Sequence, residues 1–147
     1  MSLRKLLEGW TSGRLDPPPV VRLIGLQLVA HGQGTAEVEL PADQRHHNAM
    51  GTVHGGILCD AADVAMGVAL ATVVEEGETF TTLGIQMNYF RQIRQSKLTA
   101  AAKVVRRGRT TAYCECDILD DEGAPVAKAT STCLILAHRS ARGGESP

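Results

Sequence analysis

NAMGTVHGGILCDAADVAMGVAL, residues 48–70, predicts one long and mostly apolar helix over about 56–74. Its apolar residues recur at helical spacing, and alanine and glycine fill many of the remaining positions. A helix that is thin and apolar on most of its surface is suited to close packing by other elements on several sides. Two carboxylates, Asp60 and Asp63, nevertheless lie inside this run. Acidic side chains are rarely buried without a partner, so the two carboxylates in this helix require an explanation.

The segments on either side of this helix predict β-strands. Two short strands precede it, at 24–30 and 35–40, and four follow it, at 80–90, 98–105, 110–119 and 125–136. Their alternation of apolar and polar residues is typical of antiparallel strands with one buried face. We therefore predict an α+β domain in which a curved antiparallel sheet, its last four strands in a meander, wraps around one central helix.

The two ends of the chain are predicted to lie outside this domain, which we place at 20–137. Residues 1–19 contain a short amphipathic helix over 2–10 and a proline-rich lead-in, DPPP at 16–19, which is expected to be extended. Residues 138–147 are polar and rich in glycine, and we expect them to be disordered.

Composition excludes several classes of function. The formal net charge of −1 over 147 residues suggests no nucleic-acid or membrane partner, and no apolar stretch approaches the ~20 residues that span a bilayer. The N-terminal ten residues are too short and polar for a secretory signal, and the four cysteines form no CxxC pair. These features predict a cytoplasmic protein with reduced cysteines. A metal site built from His46, His47, His54 and the aspartates is the alternative to a metal-free protein.

The start of the predicted helix is the first candidate site. A first helical turn presents unpaired backbone N–H groups and the positive end of the helix dipole, and Gly55 and Gly56 leave those groups unshielded. They could stabilise an oxyanion, or the glycines could merely permit a tight turn. Asp60 and Asp63 share a helical stripe with Gly56. Asp63 lies about two turns into the helix, too far to cap it, so its carboxylate implies a hydrogen-bond partner, a subunit boundary or catalysis.

The stretch at 46–67 resembles the signature N-x-x-G-x-x-H-G-G followed seven residues later by Asp, found in hotdog-fold acyl-CoA thioesterases of the phenylacetate-pathway and medium-chain branch. The similarity extends over about 20–136. It implies a homodimer paired edge to edge, often a dimer of dimers, that hydrolyses acyl-CoA at the subunit boundary. It implies no cofactor, because coenzyme A is part of the substrate. Asp63 would come from one subunit and the Asn48–Gly55 elements from the other. The matching residues are Asn48, Gly51, His54, Gly55, Gly56 and Asp63.

The resemblance also implies individual roles. The N–H of Gly55 would polarise the thioester carbonyl, Asn48 would place substrate or water, and Asp63 would act as general base or as nucleophile. His54 would orient the loop or assist the departing sulfur, and a purely structural role is the alternative. Some relatives position the water with a serine where this chain has Gly84; Thr82, which shares the strand parity of Gly84, is a possible substitute.

Positive charge is concentrated at 91–109, which holds seven of the fifteen basic residues and no acidic one. Arginine suits the phosphates of coenzyme A, although a solvated turn explains the same pattern, and few aromatic residues are present to stack on RNA bases. An acyl-thioester hydratase or dehydratase and a non-catalytic acyl-CoA-binding module are the alternative functions. The resemblance places the coenzyme contacts at Arg91, Arg106, Arg107, Gly108, Arg109 and Thr110.

Overall fold

The computed structural model describes residues 1–137, so the expected disorder of 138–147 lies outside the described residues. Three α-helices, a short 3-10 helix and six strands follow one another along this part of the chain. Their bounds are α1 (Leu3–Thr11), α2 (Pro19–Ile24), β1 (Gln27–Gly32), β2 (Thr35–Ala42), the 3-10 helix (Gln44–His46), α3 (Gly55–Ala71), β3 (Glu78–Tyr89), β4 (Ser96–Arg107), β5 (Thr111–Leu119) and β6 (Pro125–Ala137).

The six strands form one antiparallel sheet in the order β1-β2-β4-β5-β6-β3. The predicted meander of four strands is therefore wrong in one respect: β4, β5 and β6 follow one another, but β3 pairs with β6 and not with β4. Tight turns connect β4 to β5 and β5 to β6. The longer linker at 90–95 instead takes the chain from the edge strand β3, past β6 and β5, to β4. Alternation indicates which face of a strand is buried, but not which strand lies beside it.

Helix α3 is the central helix expected of the hotdog architecture. It contacts all six strands, most extensively β2 and β4. Ala62, Ala65 and Ala69 are fully buried, which lets the sheet approach the helix closely. The helix ends at Ala71 with Thr72 as its C-cap, one turn earlier than predicted. The prediction of a curved antiparallel sheet around one long helix is confirmed.

The N-terminal segment adds two helices, of which α1 packs against α3. Helix α1 occupies the predicted place, but the proline-rich lead-in is not wholly extended, because Pro19 is the first residue of α2. Proline is well suited to that position, since the first helical N–H has no intrahelical acceptor. Gly25 ends α2 with a left-handed backbone (φ 88°), and β1 begins two residues later. No helix within residues 1–137 is long and apolar enough to cross a membrane.

Candidate functional site

A cleft of about 450 Å³ opens beside the first turn of α3. Asn48, Gly55, Tyr89 and Arg91 are among the residues that line it. The Asn48 carboxamide closes the loop before the helix: its oxygen accepts from the Met50 N–H at 2.9 Å and its nitrogen donates to the Thr52 hydroxyl at 3.0 Å. Asn48 is thus held at the cleft wall by its own loop. The structure brings three of the sequence-predicted residues, Asn48, Gly55 and Arg91, to one place.

The backbone N–H groups of the two glycines are not equivalent. The Gly56 N–H donates to Nδ1 of His54 at 2.8 Å. Within residues 1–137, no acceptor is assigned to the Gly55 N–H, as expected for the first residue of a helix. Of the two donors singled out from the sequence, Gly55 is therefore the one that is free to bind an oxygen at the cleft.

His54 is the N-cap of α3. Its Nδ1 accepts the Gly56 N–H, which places the ring proton on Nε2. A Cβ on residue 56 would lie 2.9 Å from this nitrogen, so Gly56 is needed for the ring to fold back. This geometry supports the loop-orienting role among those considered for His54.

Tyr89 is a contact that the sequence did not reveal. Its hydroxyl donates to the Gly55 carbonyl at 2.8 Å, and a Cβ on residue 55 would lie 3.0 Å from the tyrosine ring. Gly55 is therefore required for close approach of this ring. The consequence is that β3 holds the first peptide groups of α3 in a defined orientation. The sequence offered one indication of this contact: a tyrosine, whose hydroxyl can form a hydrogen bond, lies near the end of a predicted strand.

Asp63 lies on the side of α3 that the sheet leaves open, and its side chain reaches solvent in the single chain. The Thr82 hydroxyl donates to its carboxylate at 3.3 Å. Partial desolvation raises the pKa of Asp63 above its ordinary value; the hydrogen bond from Thr82 lowers that pKa, and the nearby Asp60 carboxylate raises it. Such a carboxylate is a better base than a fully hydrated one.

A β-bulge in β3 places Thr82 beside Asp63. Thr82 pairs with the buried Cys133 of β6, whereas Gly84 pairs with Thr132, which points to the opposite face, and Leu83 is the extra residue between them. The expectation that Thr82 and Gly84 share a face is therefore wrong. Thr82 faces α3, and Gly84 does not.

Within one chain Asp63 is remote from the free N–H of Gly55. The two residues are eight positions apart on α3, which corresponds to about 12 Å along the helix axis. Asp63 is not among the residues that line the cleft at the helix start. One thioester cannot contact both groups of the same chain.

The basic residues are likewise divided between the two ends of the sheet. Arg91 forms an ion pair with Asp120 at the β5–β6 turn, and Arg107 forms one with Glu78 at the opposite end. Strand β4 separates these ends by roughly 35 Å, so the basic residues of 91–109 do not form one cluster within a single chain. The end of β4 and the turn that follows it present three exposed predicted contacts, Arg106, Arg109 and Thr110. The Gly108 N–H donates to the Thr111 carbonyl in that turn.

The residues considered for a metal site have other partners. Nε2 of His46 lies 2.7 Å from the Ile24 carbonyl, and Nε2 of His47 lies 2.6 Å from the Arg94 carbonyl. In the described part of the chain, no group of three His, Cys, Asp or Glu residues is arranged to hold a metal ion. Cys114, Cys116 and Cys133 are buried free thiols.

Comparisons with known proteins agree with this architecture. The family model described as Thioesterase superfamily matches residues 50–127. The 1,4-dihydroxy-2-naphthoyl-CoA hydrolase of Listeria monocytogenes is 29% identical over 116 residues, covering 79% of this chain and 94% of that protein. Human acyl-coenzyme A thioesterase 13 is 26% identical over 119 residues, covering 80% and 81%.

The crystal structure of thioesterase HI1161 from Haemophilus influenzae superimposes with a TM-score of 0.81 at 26% identity. It covers 93% of this chain and 94% of that one. The similarity therefore extends over most of both chains.

Proposed function

Because the chain belongs to the thioesterase superfamily and is an acyl-CoA thioesterase, we propose that it hydrolyses its substrate at a site built from two copies of itself. Asp63 of one copy activates the attacking group, and the Gly55 N–H of the other binds the carbonyl oxygen. The observation that carries the proposal is the separation of these two groups by about 12 Å on one helix. Each group is accessible from outside its own chain.

Strand β3 is the surface on which the second copy is proposed to pair. It is an edge strand of the described sheet, it is twelve residues long, and Glu78 is its one charged residue. A long edge with so little charge is a template for pairing with another strand. A thioesterase with this edge therefore has a ready dimer contact.

We propose the register of that pairing from the hydrogen bonds that β3 makes to α3. With Gln86 opposite Gln86 in an antiparallel pair, Ile85 faces Met87, and skipping the bulge residue sets Thr82 opposite Tyr89. Side chains opposite each other then share a face, as a sheet requires. Because Thr82 bonds Asp63 and Tyr89 bonds Gly55, this register brings the acid of one copy beside the free amide of the other.

The same register brings arginines from the two opposite ends of the sheet close together. The start of one β3 then lies beside the end of the other, so the turn that holds Arg106 and Arg109 approaches Arg91 of the second copy. Coenzyme A carries its phosphates at the end far from the thioester, and arginines bind phosphate with charge-assisted hydrogen bonds. Coenzyme binding across the pair is therefore part of the proposal.

The chemical step is hydrolysis. In the general-base route, Asp63 removes a proton from a water whose oxygen attacks the carbonyl carbon, and the carbon–sulfur bond breaks. The proton passes to the coenzyme A sulfur, and the carboxylic acid and free thiol leave. In the nucleophilic route, the Asp63 oxygen attacks the carbonyl carbon and expels the coenzyme A thiolate, which takes up a proton, and water then hydrolyses the mixed anhydride. Hydrolysis in ¹⁸O-water over a single turnover tests this second route, because water that attacks the Asp63 carbon of the anhydride labels the carboxylate, whereas the general-base route never does.

The role of the Gly55 N–H is tested by Gly55→Pro with Gly55→Ala as its matched control. Proline removes the N–H at a position where helices accept it, and His54 already has the extended backbone that precedes proline. Alanine adds a Cβ against Tyr89 but keeps the donor. We expect kcat to fall about 100-fold or more further in the proline variant than in the alanine one. Equal kcat values for the two variants would remove the N–H from the mechanism.

Assembly from two copies is tested by co-expression of Asp63→Asn with Gly55→Pro, each inactive alone. A mixed dimer has one site with both groups intact. Random pairing then restores about a quarter of wild-type activity, since half the dimers are mixed and one of their two sites works. No restoration in a preparation shown to contain mixed dimers would contradict the proposal.

A further inference from the structure

An apolar cavity of about 590 Å³ lies between α1, the proline-rich segment, α2 and α3. We infer that this cavity binds the acyl chain of the substrate and selects unsubstituted aliphatic acyl groups of about ten carbons. The inference rests on the proposed function, because the cavity holds the acyl part of the thioester that is hydrolysed at the proposed site. The cavity is lined by, among others, Leu3, Leu7, Trp10, Val64, Val68 and Phe80.

The chemistry of the lining favours an unsubstituted acyl group. Two charged side chains reach the cavity, Asp16 and Arg22. They lie 3.8 Å apart at its rim, and both are largely exposed. A hydroxylated aromatic group would leave its hydroxyls without partners along the apolar walls, which is costly. A saturated chain has no such groups.

The cavity begins beside the proposed reacting group on α3. Val64 follows Asp63 directly, and Gly67 lies one turn further along α3 on the side of Asp63. Phe80 shares the inner face of β3 with Thr82, which bonds Asp63. A Cβ on residue 67 would lie 3.9 Å from the Phe80 ring. The missing side chain at Gly67 therefore leaves a passage from the carboxylate into the cavity.

The length of the passage sets the expected chain length. The lining follows α3 from Val64 to Ala71, so from Asp63 the cavity extends about 12 Å along the helix. An extended chain advances about 1.2 Å per bond, because three backbone bonds span ~3.6 Å. The cavity therefore accommodates an acyl chain of about ten carbons.

The experiment compares hydrolysis of straight-chain acyl-CoA thioesters from acetyl to palmitoyl by the wild type, Gly67→Leu and Gln33→Leu. Gln33 is exposed in the turn between β1 and β2, so Gln33→Leu adds the same side chain outside both the cavity and β3. We expect the wild-type kcat/KM to rise up to about four-fold per methylene as the chain is buried, and to stop rising near ten carbons. Gly67→Leu should lose at least ten-fold on decanoyl-CoA and change by less than two-fold on acetyl-CoA, whereas Gln33→Leu should follow the wild type.

Trp10→Ala provides a second variant should Gly67→Leu not fold. Removal of the indole enlarges the cavity, and the optimum should move to longer chains. An equal loss on every chain length with Gly67→Leu, or an unchanged optimum with Trp10→Ala, would overturn the assignment, as would a second copy of the chain occupying the cavity in a crystal of the dimer. A wild type that releases no thiol from any acyl-CoA would instead overturn the proposed function itself.

Discussion

The hydroxyl of Thr82 on β3 donates a hydrogen bond to the carboxylate of Asp63 on α3 at 3.3 Å. This bond joins the two elements that the proposed site depends on, the central helix and the edge strand. It also stabilises the charged form of the acid, against the desolvation that favours the neutral form. The balance of these effects sets the pH at which Asp63 can act as a base.

We predict that Thr82→Val moves the acid limb of the kcat/KM profile to higher pH. The variant removes the bond that lowers the pKa of Asp63, so the carboxyl stays protonated, and inactive as a base, to a higher pH. Asp60→Asn should move the same limb to lower pH, because the Asp60 charge raises the pKa of Asp63. Profiles measured between pH 4 and 9 check both shifts. Displacement of the two limbs in the same direction would contradict the assignment of this limb to Asp63.

We predict that Asp63→Asn is inactive but more heat-stable than the wild type at pH 7. The pKa of Asp63 is raised in the folded state, so the unfolded chain releases its proton first as pH rises. The folded protein therefore loses stability between the ordinary aspartate pKa and the raised one, and that loss persists at neutral pH. Asparagine does not titrate. Thermal unfolding followed from pH 3 to pH 7 should show the difference in Tm vanishing at the acid end, and a lower Tm for the variant at pH 7 would refute the prediction.

We predict that Arg106→Ala and Arg109→Ala raise KM for acyl-CoA several-fold and leave kcat largely unchanged. Both side chains are exposed, Arg106 near the end of β4 and Arg109 in the turn that follows it, where phosphate can reach them. The increase in KM should shrink at high salt, because exposed charges are screened. The matched substrate is the same acyl group on pantetheine, which lacks the nucleotide phosphates. An equal rise in KM for that substrate would rule out a phosphate contact.

We predict that Arg107→Ala acts mainly on stability. Arg107 forms an ion pair with Glu78 and donates to the Gly108 carbonyl, and both side chains of the pair are largely buried. Removing it should reduce the free energy of unfolding by about 1 kcal/mol. The pair lowers the pKa of Glu78, so its contribution is present at neutral pH and lost as acid protonates the carboxylate. Urea denaturation at pH 7 and at pH 3 checks this, with Glu78→Gln expected to abolish the pH dependence of the difference.

Local patterns in the sequence were sufficient to predict the elements and their buried faces. Helical spacing of small apolar residues predicted α3, and alternation predicted the strands that cover it, because side-chain period depends on backbone geometry within a few residues. The motif around His54 and Asp63 pointed to the residues of the proposed site. The functional family followed from that motif and from the order of the strands.

Tertiary structure alone decided which residues meet. The pairing of β3 with β6, the bulge at Leu83 and the hydrogen bond from Tyr89 to Gly55 all join segments distant in sequence. Alternation along a chain contains no information about such partners. The bulge placed Thr82 and Gly84 on opposite faces of β3. The length of β4 separated arginines that are close in sequence. The sequence therefore determined the chemistry that the chain carries, and the fold determined its geometry, because contacts between strands are set by packing around α3.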